Sequence, residues 1–94
     1  MTQLNEVGTV ATNVYTENGM TKVRYHKTVV VEFDEVAIIL NNGGWKTQTT
    51  KNRMNQASNQ FGLEFHVYQE NFEWFAEFQG EAFEFENGRC CLLR

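Results

Sequence analysis

No proline occurs anywhere in the sequence, which excludes a rigid polyproline spacer or a proline-rich recognition segment. Cysteine is almost as scarce: Cys90 and Cys91 are the only two, and they are neighbours. A disulfide between adjacent residues is strained, and no other thiol is present, so both read as free thiols in a reducing compartment. Neither a Cys-x-x-Cys spacing nor regularly spaced histidines accompany them, and no metal site or other cofactor is expected. No apolar run approaches the ~18 residues of a membrane-spanning helix. The N-terminus shows no basic-then-apolar leader, so neither a membrane association nor secretion is expected. Serine is represented once, by Ser58, without the Gly-x-Ser-x-Gly context of a nucleophile elbow. His26 and His66 fall on predicted strands, where a surface or satisfied histidine is commoner than a catalytic base. Glu73 and Glu77 form a carboxylate pair of the kind that seven glutamates in a short stretch produce by chance. The expectation is a protein that is not an enzyme.

What remains is ample for a core. Of 94 residues, 41% are apolar and 14% aromatic, enough for a single domain spanning 1–94 without staples. Charge is uneven. Residues 1–60 hold six cations against five carboxylates, and residues 61–94 hold two against seven, for a net −4 overall. Such acidity opposes non-specific nucleic-acid binding by the whole surface but leaves room for a local cationic patch.

Periodicity sets the fold class. Alternation predicts strands over Val7–Tyr15, Met20–His26 and Thr28–Phe33, with Asn18-Gly19 as a tight hairpin turn. Val36–Leu40 is uninterrupted and apolar, as in a central strand. Thr47–Phe61 reads as the one helix, with Thr47 or Thr49 as N-cap and Gly62 as C-cap. At ~100° per residue, Thr50, Met54, Ala57 and Phe61 share the docking stripe, while Asn52, Asn55, Gln56 and Asn59 take the opposite face. Beyond Gly62, Leu63, Phe65 and Val67, then Trp74 and Phe78, then Phe83 and Phe85 alternate with glutamates; Asn87-Gly88 turns the chain into a last strand, Arg89–Leu93. The fold expected is α+β: an antiparallel sheet of about six or seven strands with one helix inserted after the fourth. Its inner face gathers Val29, Val31, Phe33 and Ile38 with those later residues around Met54, Ala57 and Phe61.

The residues with chemical potential cluster at the strand-to-helix junction. Asn41, Gly43, Gly44, Trp45, Lys46, Thr47, Thr49, Thr50, Lys51 and Arg53 lie there, with Arg24 and His26 as candidates from the second strand. Paired glycines before a helix start can present backbone N–H groups to an oxyanion. The spacing matches neither the nucleotidase loop nor the dinucleotide fingerprint. A glycine turn locked by a buried Trp45 is the slightly favoured alternative. Nucleic acid or a nucleotide is a second possible ligand, with Lys22, Arg24, Lys46, Lys51 and Arg53 on phosphates, Trp45 stacking and the Asn/Gln helix face reading base edges. Glu64, Glu73, Glu77, Glu84 and Glu86 make an acidic sheet face, commonly a solvated one, that can also mimic nucleic acid toward a basic protein.

Arg24-Tyr25-His26-x-Thr28-x-Val30, followed by Leu40-Asn41-x-Gly43-Gly44-Trp45-Lys46-Thr47-x-Thr49-Thr50-Lys51-x-Arg53-x-Asn55, resembles a family of small proteins encoded by tailed bacteriophages. Trp74 fits the same pattern, so the resemblance runs over about residues 24–78. The N-terminal hairpin and the vicinal cysteines lie outside it. It implies genomic context more than mechanism: a non-virion accessory protein acting in the cytoplasm of the infected bacterium. With no catalytic constellation in view, the expected partner is a host protein. The sequence does not fix the oligomeric state.

Overall fold

A computed structural model describes residues 12–94. The first predicted strand therefore lies in part outside the described residues; from Thr12 it continues as β1 (Thr12–Glu17). It is followed by β2 (Met20–Tyr25), β3 (Thr28–Phe33), β4 (Ala37–Asn41), α1 (Gln48–Phe61), β5 (Phe65–Glu70), β6 (Glu73–Phe78), β7 (Glu81–Glu84) and β8 (Arg89–Leu93). The class is α+β, with the single helix after the fourth strand as the periodicity predicts. The strands divide between two antiparallel sheets, one of order β1-β2-β3-β4-β8 and one of order β5-β6-β7.

The division follows from what α1 does to β5. One edge of β5 pairs with β6, from Phe65 opposite Phe78 to Glu70 opposite Glu73. The other edge meets the helix instead of a strand. Asn55 donates from Nδ2 to the Val67 carbonyl (3.0 Å) and accepts from the Val67 N–H (2.7 Å). One helical turn on, Ser58 Oγ donates to the Phe65 carbonyl (2.8 Å) and accepts from the Phe65 N–H (2.9 Å). Two side chains thus replace the ladder that a neighbouring strand would supply. The predicted polar face of the helix is corrected in part here: Asn55 is buried against β5 and Gln56 is buried where it accepts from Arg53, while Asn59 stays exposed. The predicted docking stripe holds, with Thr50, Met54 and Ala57 fully buried. Thr47 is the N-cap, accepting from the Thr50 N–H at 3.2 Å, and Gly62 closes the helix in the left-handed conformation.

One core joins both sheets and the helix: Val23, Val31, Ile38, Leu40 and Leu92 from the larger sheet, Phe65, Val67, Trp74, Ala76 and Phe78 from the smaller, and Met54 and Ala57 between them. Val30 belongs to it as well, although alternation gives that face to Val29 and Val31. A bulge is the cause: Val23 pairs with Val31 and Arg24 with Val29, which leaves Val30 as the extra residue and turns it inward. Phe33, Phe61, Phe83 and Phe85 pack against this core, partly buried.

On β8 the strand period separates the two thiols, Cys90 buried and Cys91 exposed, both free. Burial pushes the Cys90 thiol up to about 11. Iodoacetamide at mild alkaline pH should therefore modify Cys91 alone in the folded protein, and Cys90 only after denaturation, as read by intact mass. The helix–strand bonds make a sharper demand. Asn55→Ala leaves both polar groups of Val67 unpaired, at about 1–3 kcal/mol for each. Asn59→Ala, on the exposed side, should stay within about 0.5 kcal/mol of the parent in urea denaturation.

Candidate functional site

The junction from Asn41 to Thr47 is built from its own polar side chains. Asn41 Oδ1 accepts the Gly43 N–H (2.9 Å) and Asn42 Oδ1 accepts the Gly44 N–H (2.8 Å), two successive Asx turns. The Trp45 N–H donates to the Asn42 carbonyl at 2.8 Å. Gly43 is required twice over: its φ is +61°, and a Cβ there would stand 2.6 Å from Thr28 Oγ1. This close approach brings the β2–β3 turn, with His26 at φ 56°, against the start of the helix.

The consequence for the oxyanion reading is direct. The three amides that a phosphate would need are already paired with Asn41 and Asn42. The buried core plug is also corrected, since Trp45 is 64% exposed. Its amide donates to the Asn42 carbonyl, and the buried residues of β4 and β8 are Ile38, Leu40, Cys90 and Leu92.

Trp45 instead borders an open groove of about 690 Å³ shared with Tyr25, His26, Lys27, Thr47 and Thr50. The Tyr25 and His26 ring centroids are 4.3 Å apart, and the Arg53 guanidinium lies 5.5 Å from the Tyr25 centroid. None of the six lining residues is acidic, in a chain whose net charge is −4.

The twelve expected site residues part company around this groove. His26, Trp45, Thr47 and Thr50 line it, and Arg53 flanks it through Tyr25 while bonding Thr12 and Gln56. Asn41, Gly43 and Gly44 shape the turn. Thr49 is exposed on the first turn of the helix. Arg24 projects from β2 with its guanidinium 5.9 Å from the Tyr15 centroid. Lys51 leaves the group: its ammonium bonds Gln69 Oε1 (3.0 Å) and sits 5.5 Å from the Trp74 centroid, over the smaller sheet. Lys46 also turns away, into a separate cleft beside Glu73 and Glu84. Half of the supposed base-reading helix face is engaged, because Asn55 is bound to Val67 and Gln56 accepts from Arg53, while Asn59 stays exposed. Tyr25 and Lys27 are the groove residues that sequence reasoning missed. The signal was present in the tight turn between β2 and β3, but only the Thr28–Gly43 contact connects that turn to the junction.

A family model described as Kyanoviridae Gp96 protein, a tailed-cyanophage family, matches residues 3–91. The chain belongs to this family. The match is wider than the 24–78 span of the phage resemblance; it takes in the N-terminal hairpin, the whole groove and both cysteines. No curated protein and no solved structure matched the chain. Among the described residues, no helix is long and apolar enough to cross a membrane.

The junction geometry predicts an order of stabilities. Gly44→Ala should cost about 1–2 kcal/mol for a left-handed backbone with open space around the new methyl. Gly43→Ala adds a steric conflict with Thr28 and should be clearly worse in the same thermal or urea melt.

Proposed function

We propose that this phage protein is a non-enzymatic accessory factor that works in the cytoplasm of the infected cell by gripping a host protein through the Trp45 groove. The exposure of Trp45 carries the reading. A tryptophan held in water at the mouth of a groove, beside a tyrosine and an arginine, has the composition of an interface anchor. The absence of carboxylates among the lining residues suits a partner surface that is itself neutral or acidic. Ser58, the single serine, spends its hydroxyl on both polar groups of Phe65, which supports a binding role over a nucleophilic one.

Single-stranded nucleic acid is the second reading, favoured by cations next to ring faces: Lys27 in the groove and Arg53 over Tyr25. It is weakened by Lys46 and Lys51, both directed elsewhere.

One comparison separates them. Immobilised protein is exposed to cyanobacterial lysate beside a charge-matched control and the Trp45→Ala variant, whose retained fold is checked by circular dichroism. The expected result is a host protein enriched by the parent and lost with Trp45→Ala. Recovery of nothing above the control, or the same proteins with both baits, overturns the reading. In parallel, tryptophan fluorescence is followed during oligonucleotide titration. Salt-sensitive binding that Lys27→Ala weakens would establish the nucleic-acid reading instead.

A further inference from the structure

On the other side of the junction lies a second cleft, of about 300 Å³, between the end of β4 and the smaller sheet. Two of its lining residues, Asn42 and Trp74, are 1% and 3% exposed. Each carries a buried N–H donor, Asn42 Nδ2 and Trp74 Nε1, that meets no acceptor among the described residues. The orientation of the Asn42 amide is fixed, because its oxygen is held by the Gly44 N–H and lies against Gly88. Its NH₂ group is therefore committed to the unpaired position. Buried donors without partners are costly and rare, and two in the wall of one cleft call for an acceptor oxygen between them and solvent.

Lys46 lines the same cleft and supplies a third donor with full positive charge. Glu73 and Glu84 line it too, so the local charge is negative overall and a multiply charged oxyanion is disfavoured. A ligand that presents a carboxylate to the donors and an ammonium to the glutamates satisfies both constraints. Phe85 adds an apolar wall, and Phe72, 88% exposed and held at φ 67°, stands at the hairpin tip beside it. We propose that this cleft binds a small zwitterion of the α-amino-acid class, its carboxylate on Asn42, Trp74 and Lys46 and its ammonium toward Glu73 and Glu84. The assignment is independent of the Trp45 groove and does not rest on it.

The chain has two tryptophans, so Trp45→Phe leaves a single indole, that of Trp74. In the ¹⁵N-labelled variant, the indole N–H resonance is followed while glycine, L-leucine or L-glutamine is added, with acetate and inorganic phosphate as comparison probes. The expected result is a saturable shift of that resonance with at least one amino acid, and weaker binding of acetate, which lacks the ammonium. Lys46→Ala, an exposed substitution, should weaken the amino acid about tenfold, the loss of one charged hydrogen bond. Glu84→Gln should weaken the amino acid and leave acetate unweakened. An indole proton that contacts a bound water and moves with none of the probes means an ordered water only, and overturns the proposal. So does acetate or phosphate binding as tightly as the amino acid, or a titration that Lys46→Ala leaves unchanged.

Discussion

The bonds from Asn55 and Ser58 to the β5 backbone determine how this molecule is put together. They occupy the four polar groups of Phe65 and Val67 on the edge of β5 away from β6. A strand laid there would have to displace them, so β4 takes β8 as its neighbour and the chain closes two sheets over one helix. The geometry suits the exchange. Residues three apart on a helix rise about 4.5 Å, and residues two apart on a strand about 6.7 Å, a mismatch that side chains absorb. In return, α1 gains anchorage that its composition does not supply, since asparagine is a poor helix former. The helix is stable because it is docked.

The junction inherits its character from the same arrangement. Trp45 lies outside the core, and the turn closes on itself through Asn41 and Asn42. Satisfying those amides internally removes the oxyanion cradle that paired glycines can make. The exposed indole borders a groove shared with Tyr25 and His26, whose turn a glycine at position 43 lets approach the junction closely. On the far side, the NH₂ group of the same Asn42 meets no acceptor among the described residues, its oxygen being used for the turn. One residue thereby separates two clefts of different character: an aromatic groove without carboxylates, and a smaller polar cleft with an indole donor in its wall.

Much of the architecture was legible in the sequence. The strict alternation after Gly62, the two Asn-Gly turns and the Thr47 and Gly62 caps each follow from local sterics and hydrogen bonding, so their positions are readable residue by residue. The docking stripe of Thr50, Met54 and Ala57 follows from the helical period. Val30 was not legible, since a bulge is a property of two strands in register and not of one. The candidate site was legible in place but not in composition: His26, Trp45, Thr47 and Thr50 meet, while Lys46 and Lys51 diverge onto another face.

The sequence by itself thus determined most of the strands, the helix, where turns fall and the apolar face of most elements, because these depend on neighbours within a few residues. Only the tertiary structure decided that Asn55 and Ser58 serve as a strand's edge, that Trp45 lies outside the core, and that Asn42 and Trp74 share a cleft. Each of these depends on how distant segments compete for the same hydrogen-bonding groups and the same interior volume, and no periodicity records that competition.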